Sequence, residues 1–264
     1  MKIKWGIAKH LVVLLFGLTA ITSYAVDSSI YIDQAGDNAT ITVNQDGSNN
    51  RVRGIQGAGS SNTTPAKVNG PGVVLDINQV GANNTLNLGI DTATAAGGTP
   101  TSVTYSVTGG NNTGTINLNN AGTGTNESTL INVSKTGGNN TTGINILGSK
   151  NSLTATMTGG SATLNSTVNA NETTQTITSS GGTSNSVTTN LTSNKGTVGI
   201  VLVGASNTVS LTQSGVAGTT GHSTVLDVNG STNTYGITQS GTIDTTVNLK
   251  TTGSGNSYTI NTQN

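Results

Sequence analysis

The chain has 264 residues, with 37 Gly, 3 Pro, no Cys, 31% apolar residues, 3% aromatics and 8% charge, far from the roughly 25% charge and ~45–50% apolar content of ordinary globular domains. Lys+Arg and Asp+Glu balance at 10 each while Thr (50) and Asn (34) dominate, which excludes a thick globular core, a disulfide scaffold and a charge-rich disordered tail. No basic run offers a surface to nucleic acid or to an anionic membrane.

Residues 1–25 carry Lys2, Lys4 and Lys9, then an apolar run at 11–21, then Ser23 and Ala25 at the −3 and −1 positions of a cleavage site. The run is shorter than the about 20 residues a spanning helix needs, and the pattern predicts a secretory signal peptide. Its removal leaves 7 Lys/Arg against 10 Asp/Glu (7 − 10 = −3) and takes away Trp5, Phe16 and His10. The expectation is a secreted, mildly acidic chain with a single repeat domain over 26–264.

From there the sequence alternates. Ile30-x-Ile32-x-Gln34-x-Gly36 is followed by Ile41-x-Val43-x-Gln45-x-Gly47, which closes on Asn50. Residues 57–72 hold Pro65 and Pro71 and read as a looped insertion, because proline breaks ladder hydrogen bonds. Leu75-x-Ile77-x-Gln79-x-Gly81 then repeats the pattern to Asn84, and a second insertion at 91–102 holds Pro100. Further copies place Val107, Lys135, Leu202 and Thr251 in the glutamine slot, with turn glycines Gly109, Gly137, Gly204 and Gly253 and closing asparagines Asn112, Asn140, Asn207 and Asn256. Looser copies end at Asn151 and Asn233, and Gln213-x-Gly215 and Gln239-x-Gly241 carry slot and glycine alone. Residues 119–129, 161–176 and 216–223 read as further loops.

The composite template is apolar-x-apolar-x-slot-x-Gly-x-x-Asn. Period-two alternation marks a β-strand, and Gly and Asn tolerate the positive φ of a tight turn. A strand and an arc recurring about every 11 residues predict an all-β fold, a β-solenoid of strand-turn-strand rungs of about 22 residues, each burying its apolar face only against its neighbours. Rungs ~4.8 Å apart would stack Gln on Gln and Asn on Asn, and such amide ladders satisfy polar groups that are costly inside.

The stretches Gln34-Ala-Gly36-Asp-Asn38 and Gln45-Asp-Gly47-Ser-Asn-Asn50, with Gln79-Val-Gly81-Ala-Asn-Asn84, resemble the curlin repeat, in which Gln-x-Gly-x-x-Asn recurs on both strands of each rung. Good copies cover 28–50 and 74–88 and, without the final Asn, 207–215 and 235–241; Asn38 stands one position early. The resemblance implies subunits exported across a Gram-negative outer membrane that assemble end to end into the amyloid fibres called curli, for biofilm matrix and adhesion. It further implies self as the partner, with curli-type secretion or nucleation proteins. It gives the role of stacking ladders to Gln34, Gln45, Gln79, Gln213, Gln239, Asn50, Asn84 and Asn207.

No catalytic constellation is legible. His222, within 218–223, predicts a solvated loop histidine rather than a general base. No nucleophile elbow, phosphate loop or dinucleotide fingerprint occurs, and there is no Cys or clustered His to hold a metal. Asp33, Asp37 and Asp46, and more distantly Asp227 and Asp244, could supply paired acids for polysaccharide cleavage; as turn and edge charges they more simply discourage premature edge pairing. Thr40-x-Thr42, Thr154-x-Thr156-x-Thr158 and Thr176-x-Thr178 could order water as on ice-binding faces, although β-propensity alone accounts for them. The expectation is a non-enzymatic structural protein without cofactor, not membrane-spanning. The alternative is a solenoid whose loops at 57–72 and 91–102 contact carbohydrate, or whose face binds ice.

Overall fold

The structure is a computed structural model, and it describes residues 10–15, 19–24, 29–54, 64–70, 72–91, 101–120, 128–214, 221–230, 232–253 and 255–263. Alternating aliphatic and polar residues make its strands, and Gly and Asn end them. In chain order these are β1 (His10–Leu15), β2 (Thr19–Tyr24), β3 (Ser29–Ala35), β4 (Thr40–Asp46), β5 (Arg51–Arg53), β6 (Ala66–Asn69), β7 (Val74–Val80), β8 (Thr85–Asp91) and β9 (Thr101–Thr108). There follow β10 (Asn112–Asn120), β11 (Ser128–Ser180), β12 (Ser184–Val203), β13 (Ser206–Ser214), β14 (Ser223–Asn229), β15 (Thr232–Gln239), β16 (Thr246–Thr252), β17 (Asn256–Ser257) and β18 (Ile260–Thr262). No helix occurs among the described residues, so none there is long and apolar enough to cross a membrane.

Every strand pairing is parallel, and strands adjacent in sequence do not pair through the N-terminal part. Instead the chain builds two stacks. One runs β1, β3, β5 with β6, β8, β10 and onward through β11, β12, β13 and β15 to β17 and β18. The other runs β2, β4, β7, β9, β11, β12, β14 and β16. β11 belongs to both because its 53 residues continue through more than two turns of the solenoid, and β12 because its 20 residues run through an arc from one stack to the other. Inside β11 the 22-residue step persists, with Thr158 3.4 Å from Ser180 and Lys150 3.8 Å from Glu172.

The core lies between the stacks and is one side chain deep from each. Inward Ile30 and Ile32 meet inward Ile41 and Val43, while the residues between them point out. Each buried aliphatic is worth roughly 1.5–3 kcal/mol, and the parallel ladders satisfy the backbone. This is the β-solenoid expected from the repeat. Its step is not constant: Ser29 pairs with Arg51, Arg51 with Thr85, Thr85 with Thr113, and Thr113 with Thr141. The extra residues fall around 54–65 and within 92–100 and 121–127. The last two lie where the first stack hands over to the second (the forward arc). The return arcs, from second stack to first, stay compact at 47–50, 81–84 and 109–112.

Two expectations about loops need correction. Residues 161–176 are strand, part of β11, because Ala162, Leu164, Val168 and Ala170 supply a buried alternation that the surrounding Thr, Ser and Asn disguise. Within 57–72, residues Ala66–Asn69 form β6 with Ala66 and Val68 buried, and Pro65 stands just before the strand. Of the other expected loops, 92–100, 121–127 and 216–220 lie outside the described residues, while 91, 101–102, 119–120, 128–129 and 223 belong to strands. β1 and β2, within the segment read as a leader, add in register to β3 and β4, from His10 on Ser29 to Leu15 on Gln34 and from Thr19 on Ile41 to Tyr24 on Asp46.

Candidate functional site: the interior ladders

The return arcs stack as closely as the strands. Gly47, Gly81, Gly109 and Gly137 lie in one file with φ between 128° and 146°. A Cβ on Gly81 would stand 1.4 Å from the Gly47 carbonyl oxygen, and on Gly109 1.5 Å from that of Gly81, so only glycine passes. Gly204 and Gly253 continue the file through Gly230. Gly36 and Gly241 belong to forward arcs, and Gly215 lies outside the described residues.

Two residues after the glycine the chain is left-handed, at Asn49, Asn83 and Asn111 with φ between 53° and 59°. Asparagine suits this conformation better than branched residues. Asn38 occupies the same position in the first forward arc with φ 53°, and buried Ala39 takes the place of the ladder asparagine. That is why its repeat reads one residue early.

The third residue is the ladder. Asn84 Nδ2 donates to its own arc at Gly81 O (2.9 Å) and to Asn112 Oδ1 (3.1 Å), and Asn112 Nδ2 to Gly109 O (3.0 Å) and Asn140 Oδ1 (3.0 Å). Asn50 closes its arc at Gly47 O and reaches Val80 O. A second run joins Asn185, Asn207, Asn233 and Asn256 by amide hydrogen bonds of 3.0, 3.2 and 2.6 Å. Between the runs stands Ala162, paired with Asn185 in the next rung. The sequence template misses Asn185 because Gly181 adds a residue to its arc, which shifts the slot to Ser179; Ser179 Oγ donates to Asn185 Oδ1 at 2.8 Å.

The expected glutamines divide between the stacks. Gln45 and Gln79 share one column with Val107 and Lys135. Gln79 Nε2 donates to Gln45 Oε1 at 2.7 Å, and Tyr105 Oη donates to Gln79 Oε1 at 2.9 Å, ending that ladder. Gln45 and Gln79 also donate to the carbonyls six residues on, at Arg51 and Thr85. Lys135 copies them: its Nζ donates to Thr141 O at 2.7 Å, 5.3 Å from the Tyr105 ring centre. Burial lowers its pKa to about 7 and pushes that of Tyr105 up. Gly114 makes room for this pair, since a Cβ there would stand 2.8 Å from Tyr105 and 3.2 Å from Lys135 Nζ.

Gln34, Gln213 and Gln239 belong to the other column, with Val68 over Gln34 and Leu191 beneath Gln213. Gln239 Nε2 donates to Gln213 Oε1 at 3.1 Å and to the His222 carbonyl, and Thr224 Oγ1 donates to Gln213 Oε1 at 3.1 Å. His222 is not a solvated loop residue. It is 1% exposed at a forward arc with φ 58°, and neither ring nitrogen has a hydrogen-bond partner.

Among the described residues, the other side chains with every polar atom buried and unpartnered collect in the middle of the solenoid, at Thr142, Asn151, Ser166, Thr173, Gln175 and Thr189. The repeat template does not single out most of these positions, because a lone Ser, Thr or Gln in an aliphatic column carries no motif. The acids weighed for catalysis do not converge. Asp33 and Asp46 are exposed on different stacks, Asp227 pairs with Lys250 at 3.2 Å, and Asp244 accepts from Gly221 N. Among the described residues no group of three His, Cys, Asp or Glu could hold a metal ion. Compared with protein-family models, with curated proteins and with solved structures, the chain finds no match.

Proposed function

We propose that the chain is an exported structural subunit that assembles end to end into a cross-β fibre of the curlin kind, serving biofilm matrix and surface adhesion. One observation carries the reading: both ends of the solenoid present strand edges that accept a parallel partner. At the N-terminal end, β3 and β4 take β1 and β2 in register. At the C-terminal end, β16 and β18 close no core of their own: Tyr258 and Ile260 stay exposed, and Val247 and Leu249 are only partly buried.

With residues 1–25 removed on export, the edge of β3 and β4 is vacated for a second copy. Carrying the internal register across the junction sets Tyr258 on Ile30, Ile260 on Ile32, Val247 on Ile41 and Leu249 on Val43. Such a head-to-tail contact is heterologous and does not close, so it propagates as a filament. The partners are further copies, with secretion or nucleation proteins of the curli type.

Electron microscopy of leader-free protein should show fibres with thioflavin binding and a ~4.8 Å meridional reflection. A protein that stays monomeric by light scattering under those conditions refutes the proposal. Gln45→Glu with Gln79→Glu places two carboxylates where an amide bond of 2.7 Å now runs. Burying unpaired charge is costly, so assembly should slow at neutral pH and recover as the carboxylates protonate.

A further inference from the structure

On the outer face of the first stack the strands leave a concave groove of about 620 Å³ that crosses five rungs, from Lys67 and Asn69 through Asp91, Asn117 and Asn145 to Thr167 and Asn169. Gly89 brings no side chain to its floor, which is made by the edges of Ile90, Leu118 and Ile146. Leu147 stands beside it, 43% exposed among amides. We propose that this groove binds a neutral, extended β-linked polysaccharide lying along the solenoid axis.

Asn145 Nδ2 donates to Asn117 Oδ1 at 2.7 Å, and Asn119 Nδ2 to Asp91 Oδ1 at 3.3 Å. An amide carries two N–H donors and two acceptor lone pairs, and a ladder bond spends one donor on one side and one lone pair on the other. The Asn117 nitrogen and the Asn145 oxygen remain for a ligand, held in place by the bond already made. These two preorganised groups lie on adjacent rungs, ~4.8 Å apart, close to the length one hexose adds to an extended β-linked chain.

Five rungs span roughly 19 Å at that spacing, enough for about four sugar units. A ligand with hydroxyls at the same repeat meets donors and acceptors in step, while Leu147 and the aliphatic floor receive the C–H face of a ring. Charge selects the class. Lys67 and Asp91 offset each other along the groove, so neither a polyanion nor a polycation is favoured over a neutral chain. The groove is independent of fibre assembly, because it lies on the side of the rungs and not on their ends.

The test uses the purified full chain with cellohexaose and chitohexaose, followed by isothermal titration and by affinity electrophoresis in gels holding soluble β-glucan. Binding is expected for the parent and for Thr154→Arg, a change on the outer face of the second stack. It should weaken about tenfold or more, the equivalent of one or two lost hydrogen bonds, in Asn117→Ala with Asn145→Ala. Leu147→Arg, which fills the groove from an exposed position, should abolish it while circular dichroism keeps its β signal. Absence of binding to either oligosaccharide or glucan gel overturns the proposal. So does binding that survives both groove variants, or a Leu147→Arg protein whose sole change is in self-association, which would make the groove a contact between copies. Fibre formation by the groove variants is scored separately, so failure of assembly and failure of binding remain distinguishable.

Discussion

Lys135 shows how far the stacking demand overrides ordinary residue preference. Lysine is almost never fully buried unless paired, yet here it fills a glutamine slot with one carbonyl acceptor and one aromatic face. Its folded pKa of about 7 stands below its ordinary value of 10.5, so between those values the unfolded chain binds the extra proton. Stability must then rise as pH increases through that window, and the full cost of the buried charge is present below pH 7. Urea titrations at about pH 6, 8 and 10 should show this rise, and Lys135→Met should remove it and add about 1–4 kcal/mol at the lowest pH. An unchanged pH slope in the variant would show that Lys135 does not titrate in the window.

The glycine file makes a sharper residue-scale contrast. Gly109→Ala drives a Cβ to 1.5 Å from Gly81 O at a φ of 146°, whereas a Cβ on the adjacent Gly110 meets nothing within 4 Å. The first change should cost more than about 2 kcal/mol by thermal unfolding and the second less than about 0.5.

At the scale of the rung, the polar orphans mark a weak element. The arm 162–180 buries Ser166, Thr173, Gln175 and Ser179 between the stacks, with Gln175 stacked on Val198 and Ser179 on Leu202 of the next rung, and both amide atoms of Gln175 are unpartnered. Regions with poorly satisfied interiors open first, so amide exchange across 162–180 should be faster than across β9 or β14. Gln175→Leu, which restores an aliphatic between the stacks, should raise stability by about 1–3 kcal/mol. A destabilised variant would mean that the amide has bonds through bound water. The same rung shows what sequence could and could not reveal. Repeats with Ile, Val and Leu at alternate positions, as in 30–47 and 75–81, announced both their strands and their inward faces. The arm 162–170 did not, because Ala and Ser fill inward positions with side chains that read as loop. Asn185 escaped the template through the one extra glycine of its arc, and His222 lost its signal because composition around it resembles a turn. Gln-x-Gly marks the glutamines, but their division between two columns follows from which stack each strand joins, and that is a matter of pairing rather than of motif.

For the whole molecule the question is polarity. The two ends differ in chemistry: β3 and β4, vacated by β1 and β2, present an edge lined inward by the aliphatics Ile30, Ile32, Ile41 and Val43, while the last rung ends on Tyr258 and Ile260, each about half exposed. Tyr258 stacks on Tyr235 with ring centres 5.5 Å apart, so its column continues to the edge with its outer side uncovered. Charges on an edge strand block pairing, and at this end they can be added with little loss of packing. Tyr258→Lys with Ile260→Lys should therefore fold, yet fail to form fibres alone. In mixtures it carries an intact N-terminal edge, so it can join the C-terminal end of a growing wild-type fibre and then present an edge that accepts nothing. Substoichiometric variant should cap that end and leave growth at the other, which seeded elongation watched on single fibres by fluorescence microscopy can resolve. Equal growth of the variant at both ends would sink end-to-end addition through β16 and β18. Inhibition at both ends would mean instead that the variant poisons free subunits, since an end-specific cap requires the two faces to be as chemically distinct as these strands make them.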